Sequence, residues 1–511
     1  MKIVFRTDAS STIGTGHVMR CLALAQGIRR AGDKAVFVCR ELPGHFCDEI
    51  AARGFEVLRL SVDPAGASSA GDGGPPHAAW LGTSWQNDAE QTRAALSIQG
   101  PVDWLVVDHY ALDARWESAM RPAVQQLMVI DDMFDRPHDA DLLLNQNVLP
   151  GMVPSYAGLV PAACSLLLGP RYALLQACYR EIRSRMPPRS GNIKRVLVYF
   201  GGVDAPNLTG RSLEALLAVG CGDLGIDVVL PVVGPNKESV RSLAGLLPGA
   251  RVHQGLPTLA ELMATADLAI GAGGSTSWER LCVGLPSLVV TLSENQRMVA
   301  QGLQMNELAL WLGHHDEVSV ATLVDALHRL LTQGLAPGWL ERCRAVVDGG
   351  GTARVVNALL PESELSMRPA ELADANLIYR WRNDPVTRRY FFDPRPIELA
   401  VHEAWYASVL AAPESVLLIG QEHGQPIGAI RFDIVGDEAD VSVYLAPDER
   451  GRGLGHRLIY FGGRWLFRQR PTVRLLNAHI HPKNLASQTA FTAAGFIEHA
   501  RHYRLKSQNS A

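Results

Sequence analysis

A chain of 511 residues, 47% hydrophobic and 20% charged with a net charge of −4, has a globular composition and no global positive field to draw nucleic acid or anionic lipid. It exceeds one ordinary domain, so about three are expected. No apolar run spans a bilayer and no export signal precedes the first strand-like run, which points to the cytoplasm, while eight cysteines without a CxxC pair argue for reduced thiols over a zinc knuckle or disulfide framework.

In chain order, "KIVF", "KAVFVC", "VDWLVVDHY" and "LMVIDD" read as strands separated by helix-length amphipathic segments, the rhythm of a parallel α/β sheet. The segment at 61–79, rich in Gly, Ala, Ser and Pro, reads as a surface loop, either a lid or an idle insertion. After the breaker-rich "MPPRSGN" at 186–192 a second series begins, with "KRVLVYFGG", "IDVVLPVVG", "ARVHQG", "DLAIGAGG" and "PSLVVTL". Two Rossmann-like halves place a ligand crevice at the carboxyl ends of their strands.

The stretch "IGTGHVMRC" falls at such an end. Its glycines let the backbone turn from strand to helix, and the helix carries Val18, Leu22, Ala25 and Ile28 on one face with Gly32 as its stop. His17 then lies in the first helical turn, where the partial positive charge disfavours imidazolium and leaves a ring able to accept a proton. Arg6 and Asp8 leave the preceding strand on the same side and are candidates for binding the ligand. In the second half, Gly271, Gly273 and Gly274 with Ser275 and Thr276 open a helix whose amides suit a pyrophosphate, and Glu279 one turn on suits a ribose diol.

From about residue 365 the pattern changes. "SMRPAELADANLIYRWRNDP" reads as strand and helix, "SVLLIGQEHGQPIGAIRFDI" as a hairpin with its turn at "HGQ", and "EADVSVYLAPDERGRGLGHRLI" as strand, glycine loop and helix. Further on, Asn477, His479 and His481 alternate and are expected on one side of a strand, where a histidine acting through water could serve as a base.

These motifs resemble two known families. "RTDASSTIGTGHVMRCLALA", "VVDHY", "VIDD", "DLLLNQN", "LGPRYALL", "YFGGVD", "GAGGSTSWE" and "ENQ" are similar to the UDP-sugar hydrolases of pseudaminic acid biosynthesis, relatives of the GT-B-fold peptidoglycan N-acetylglucosaminyl transferase. The resemblance covers nearly all of residues 1–350. It implies a GT-B-like pair of Rossmann-like domains at 1–185 and 190–350. The implied reaction takes UDP-2,4-diacetamido-2,4,6-trideoxy-β-L-altropyranose to UDP and free sugar without a metal. His17 is then catalytic, Gly14 and Gly16 line the sugar and phosphate side, Gly273, Gly274, Ser275 and Thr276 hold the diphosphate, and Glu279 binds the ribose. Tyr110, Asn295 and Gln296 are candidates for ordering sugar or water.

The tail, 365–505, resembles the GNAT (acyl-CoA N-acyltransferase) α/β fold through Arg450, Gly451, Arg452, Gly453, Leu454 and Gly455, which match the loop that cradles the acetyl-CoA pyrophosphate. Asn484 and Ser487 match the next segment. At 491, where many relatives carry a tyrosine acid, this chain has Phe491, which leaves Tyr503, a water or the incoming amine to supply the proton. The fusion implies consecutive steps, N4-acetylation of UDP-4-amino-4,6-dideoxy-N-acetyl-β-L-altrosamine from acetyl-CoA and then removal of UDP. The alternatives are a GT-B glycosyltransferase, a legionaminic-type hydrolase, a tail acting on protein N-termini, and a non-catalytic sensor of both ligands. Oligomeric state and channelling stay open.

Overall fold

The structure is a computed structural model and describes residues 1–62, 74–152, 156–187, 189, 191–220, 222–230, 236–360, 365–391 and 393–497. The chain forms two compact units, one of Met1–Ile28 with Lys34–Thr352 and one of Ala353 onward with Arg29–Asp33.

The first unit holds two parallel sheets. In the first, β1 (Lys2–Thr7), β2 (Lys34–Arg40), β3 (Glu56–Leu60), β4 (Trp104–Asp108), β5 (Gln126–Ile130), β6 (Leu142–Asn145) and β7 (Ser165–Leu168) lie in the order β3-β2-β1-β4-β5-β6-β7. In the second, β8 (Arg195–Tyr199), β9 (Gly225–Val229), β10 (Ala250–His253), β11 (Leu268–Ala272), β12 (Ser287–Thr291) and β13 (Leu310–His314) lie in the order β10-β9-β8-β11-β12-β13. The central strands are apolar on both faces, as β4 and β11 show with every residue buried, because helices cover both sides of a parallel sheet. The order reverses at β1/β4 and again at β8/β11, which opens a crevice beyond the strand ends in each sheet. This is the GT-B-like pair of Rossmann-like sheets that the sequence led us to expect.

The helix before the linker, Ala177–Arg185, places Tyr179 and Ile182 in the core of the second sheet. The pattern had not singled out β3, β6, β7 and β13, four short strands of 4 or 5 residues at or next to sheet edges.

The second unit is one mixed sheet in the order β14 (Leu365–Pro369), β15 (Ser415–Glu422), β16 (Gln425–Val435), β17 (Glu438–Leu445) and β18 (Leu475–Asn477). The expected hairpin turns at His423 and Gly424, with φ of 48° and 78°, the left-handed pair that a two-residue connection needs. The helix Leu454–Gln469 buries Leu458 and Leu466 on one face of the sheet, and Ala375–Asn383 and Leu399–Ala411 bury Ile378 and Tyr406 on the other. Among the described residues only Glu438–Asp440 of β17 pair with β18, and none pairs with β17 on that side from Val441 through Leu445.

Candidate functional site

In the first sheet Thr7 at the end of β1 is in register with Asp108 at the end of β4. The loop after β1 is closed by Ser10, whose hydroxyl accepts the amides of Thr12 and Ile13 at 3.2 and 2.9 Å and whose carbonyl accepts that of Gly14 at 2.8 Å. Gly14, with φ of 78°, makes the turn that a side chain would strain. The chain then enters the helix Gly16–Arg30 with His17 in its first turn.

What holds His17 is Asp108, a partner that the sequence reading did not assign. The imidazole Nδ1 lies 2.6 Å from Asp108 Oδ1. Arg20, one turn along the same helix, donates to both oxygens of Asp108, Nε to Oδ2 and Nη2 to Oδ1, each at 2.6 Å. Burial opposes the charge on Asp108, but Arg20 and then His17 outweigh it and hold the carboxyl well below the usual range. An ionised carboxylate only accepts, so Nδ1 carries a proton, and in the neutral ring the lone pair is on Nε2. Among the described residues Nε2 makes no hydrogen bond. Tyr110 packs edge-on against the ring, 4.5 Å between centroids, and its hydroxyl donates to Asp132.

Arg6 and Asp8 do not reach the crevice. Both are fully buried; Arg6 pairs with Asp8 at 2.8 Å and with Asp88 at 2.6 Å, and Asp8 also accepts the Arg40 amide at 2.6 Å. They brace the floor beneath the strand ends instead of meeting a ligand. The described part of the 61–79 segment brings His77 to 5.6 Å from the Tyr110 ring, and residues 63–73 lie outside the described residues.

In the second sheet the glycine turn follows β11. A Cβ on Gly271 would stand 2.5 Å from the Tyr199 carbonyl oxygen, and one on Gly273 would stand 3.2 Å from Thr291. The first helical bonds run from Ser277 to Gly274 and from Trp278 to Ser275, and the amides of Gly273, Gly274, Ser275 and Thr276 meet no backbone acceptor among the described residues. Gln296 stands beside this turn, 3.6 Å from the Cβ position of Gly274, while its Oε1 accepts the Leu292 amide at 3.0 Å. Asn295 accepts from Ser293 at 2.5 Å. The two sheets' loops approach closely, since a Cβ on Gly202 would meet Thr15 Oγ1 at 3.3 Å.

Glu279 accepts the Tyr179 hydroxyl at 2.7 Å, and burial pushes its carboxyl up to about 7 against the pull of Tyr179 and Arg280. A raised carboxyl favours folding while protonated, and that contribution is lost as pH rises from about 4.5 through about 7. Glu279→Gln is therefore expected to lose less stability than the wild type between pH about 5 and about 8, read from urea midpoints. Equal losses in the two proteins would exclude the titration.

In the second unit Gly451 and Gly453 have φ of 80° and 74°, and the amides of residues 451–455 meet no backbone acceptor among the described residues. Arg450 donates to Asp384 at 2.6 Å and to Thr387, and Arg452 to Glu422 at 2.6 Å and to Glu449. The two guanidinium groups thus fasten the loop, and its backbone is left to bind. Nothing lies within 4 Å of a Cβ position on Gly451. A run of consecutive amides, open at Gly451, suits a pyrophosphate.

Asn484 caps the helix Leu485–Ala493 by accepting the Ser487 amide at 3.1 Å. Phe491 packs edge-on against Phe496 at 4.9 Å in the core and has no proton to give. The expected alternation of histidines is corrected: β18 ends at Asn477, so His479 and His481 lie past the strand. The former sits 3.7 Å from Asp440, and the latter accepts the Lys483 amide. Tyr503 lies outside the described residues. Among the described residues no three His, Cys, Asp or Glu side chains converge as metal ligands, and no helix is long and apolar enough to cross a membrane.

Residues 364–497 match the acetyltransferase (GNAT) domain family. The C-terminal unit is a GNAT acetyltransferase domain. Acetyl-CoA is its co-substrate. Over 304 residues, 59% of this chain and 96% of the relative, the protein is 24% identical to the UDP-2,4-diacetamido-2,4,6-trideoxy-β-L-altropyranose hydrolase of Campylobacter jejuni. It is 30% identical over 193 residues, 37% of this chain and 57% of the relative, to the spore coat polysaccharide biosynthesis protein SpsG of Bacillus subtilis. An uncharacterized protein of Methanocaldococcus jannaschii is 23% identical over 97% of this chain and 96% of its own. The chain is thus an enzyme in both parts, a hydrolase-type unit fused to a GNAT acetyltransferase.

On the GNAT domain's other face, three elements bring cationic and donor groups together. Arg382 lies 4.6 Å from the Phe391 ring and 5.5 Å from that of Trp405, and Arg431 lies 5.4 Å from the same indole. The Tyr444 hydroxyl and Arg431 Nε are buried with no hydrogen-bond partner among the described residues. Burial pushes the Tyr444 hydroxyl up to about 12, so it remains a donor. Asp433, at 2.7 Å from Arg431, is the acid that pairs within this group, and Arg382 has no carboxylate partner among the described residues. Buried donors without acceptors call for a ligand rich in acceptors.

Proposed function

We propose that the GNAT domain acetylates the 4-amino group of UDP-4-amino-4,6-dideoxy-N-acetyl-β-L-altrosamine and that the first unit hydrolyses the product, UDP-2,4-diacetamido-2,4,6-trideoxy-β-L-altropyranose. The observation that carries the hydrolytic half is the His17–Asp108 pair, with an open Nε2 and a turn of free amides in the same unit. Water gives a proton to His17 Nε2 as its oxygen bonds to the anomeric carbon, and the bond from that carbon to the phosphate oxygen breaks. Asp108, anchored by Arg20, stabilises the imidazolium that forms. The amides of Gly273, Gly274, Ser275 and Thr276 meet the charge developing on the departing diphosphate. Gly14 and Gly16 leave the backbone clear on the sugar side, Tyr110 and Gln296 order the sugar or water, and Glu279 takes the ribose.

In the other half, acetyl-CoA supplies the acyl group. The loop from Arg450 to Gly455 holds its pyrophosphate, and Asn484 and Ser487 shape the neighbouring helix start. The donor cluster of Arg382, Arg431 and Tyr444 supports an anionic acceptor such as a nucleotide sugar over a cationic protein N-terminus, which two guanidinium groups would repel. Arg382→Met is expected to raise the KM of the amino sugar roughly ten- to a hundred-fold, the worth of one charged hydrogen bond, with the KM of acetyl-CoA unchanged. A shift in the acetyl-CoA KM alone would place Arg382 elsewhere.

The test of the whole scheme supplies the 4-amino UDP-sugar with acetyl-CoA and follows CoA thiol, UDP and free sugar separately. Thiol release is expected first, then UDP with free sugar. UDP release that needs an added acceptor would make the first unit a glycosyltransferase, and release of UDP from the unacetylated sugar would break the order.

A further inference from the structure

A second carboxylate stands behind the proposed base. Asp132 follows β5, and its oxygens collect the Tyr110 hydroxyl, Arg20 Nη1 at 3.2 Å and Asn147 Nδ2 at 2.5 Å. Asn147 follows β6, and its Oδ1 accepts the indole Nε1–H of Trp278 at 3.0 Å. Trp278 is in the first turn of the helix that the glycine loop opens, its own amide bonded to the Ser275 carbonyl at 3.1 Å.

The sheet order explains this row. His17, Asp108, Asp132 and Asn147 come from the carboxyl ends of β1, β4, β5 and β6, which are neighbours in that sequence across the sheet. With Arg20 between the two carboxylates, hydrogen bonds run without a break from the His17 ring to Trp278, from the first sheet to the second. The direction of the Asn147 bonds is fixed. An indole N–H can only donate and a carboxylate can only accept, so the amide must present its oxygen to one and its nitrogen to the other. The Asn147 backbone is held too, its amide donating to Asn145 Oδ1 at 2.8 Å.

We infer that Asn147 is a positioning residue for hydrolysis, tying the orientation of His17 to the seating of the diphosphate turn through Asp132 and Arg20. This rests on the reading of His17 as the hydrolytic base. The turn that receives the leaving group and the ring that takes the proton are thereby set in one frame, although they come from different sheets. Catalysis needs both groups placed at once, and a linked pair keeps one from being correct without the other.

The experiment compares Trp278→Phe, which removes the indole donor together with part of a buried ring, with Asn147→Ala and with the double variant, all in the full chain. Trp278→Phe is expected to lower kcat for UDP release about three- to ten-fold, the rate equivalent of one neutral hydrogen bond, and Asn147→Ala, which also removes the bond to the Asp132 carboxylate, at least as far, with UDP affinity by calorimetry unchanged in both. The double variant is expected to be no worse than the poorer single one, since both break one path. Additive losses, undiminished kcat in both singles, or a loss of UDP affinity equal to the loss of rate would overturn the inference. Asn147→Leu serves if Trp278→Phe unfolds. A readout independent of turnover separates the inference from the reading beneath it: the imidazole 15N shifts of His17 should move in Asn147→Ala whether or not the chain hydrolyses the sugar nucleotide. Unmoved shifts sink the coupling, and moved shifts without any wild-type hydrolysis sink only the reading of His17 as a base.

Discussion

Replacing His17 with phenylalanine is expected to lower UDP release at least about a hundred-fold, within the roughly 10²- to 10⁴-fold range of a lost general base, while acetyl transfer by the same chain continues. The fold should survive, and the reason lies in the charges left behind. Asp108 keeps both hydrogen bonds from Arg20, so no buried carboxylate is stranded, and a phenyl ring can fill the place of the imidazole against Tyr110. The converse change, Asp108→Ala, is a poorer probe. It would leave the buried Arg20 with Asp132 at 3.2 Å as its one carboxylate among the described residues, and removing one partner of a buried ion pair costs about 3 to 5 kcal/mol. Loss of activity there would mix mechanism with misfolding. In His17→Phe the CoA thiol released by the GNAT domain controls for that unit alone, and UDP affinity by calorimetry controls for folding of the first unit. UDP release within about two-fold of wild type would remove His17 from the chemistry, since even a weak proton acceptor is worth more than that.

The parts of the site visible in the sequence are those that local chemistry fixes. A strand that ends in glycines and opens a helix puts His17, the 273–276 turn and the 451–455 loop at strand ends with no knowledge of distant contacts. Which side chains then meet was not legible. Arg6 read as a ligand because it leaves β1 near the crevice, yet Asp88, from a helix some eighty positions later, claims it. Asp108 stood in the quoted "VVDHY" and Arg20 three residues past His17, a spacing that puts both on one helical face. Only the β1/β4 register shows that the three converge. Arg382, Arg431 and Tyr444 come from one helix and two strands, and nothing in their local sequence marks them as neighbours. The histidines at 479 and 481 failed for the opposite reason: the alternation was correct as a pattern, but pairing with β17 stops at Asn477, and beyond the ladder alternation has no structural meaning.

Gly451→Val should do in the GNAT domain what His17→Phe does in the first unit: abolish acetyl transfer while pre-acetylated UDP-sugar is still hydrolysed. Valine disfavours the left-handed backbone that Gly451 holds at φ of 80°, a cost of about 1 to 3 kcal/mol that the loop can relieve by rotating its peptide planes. Rotation turns the loop's free amides away from a common focus, and each lost hydrogen bond to a charged phosphate should weaken acetyl-CoA binding roughly ten- to a hundred-fold. Strain alone could lower activity by unfolding the domain, so a matched control is needed. Gly424 has φ of 78° in the hairpin turn, with nothing within 4 Å of its Cβ position. Gly424→Val should therefore incur comparable strain without touching the loop. If Gly451→Val and Gly424→Val shift the thermal midpoint alike but only the former raises the KM of acetyl-CoA, the amides at 451–455 bind the cofactor. If both raise it equally, strain explains the loss and the pyrophosphate must be held elsewhere.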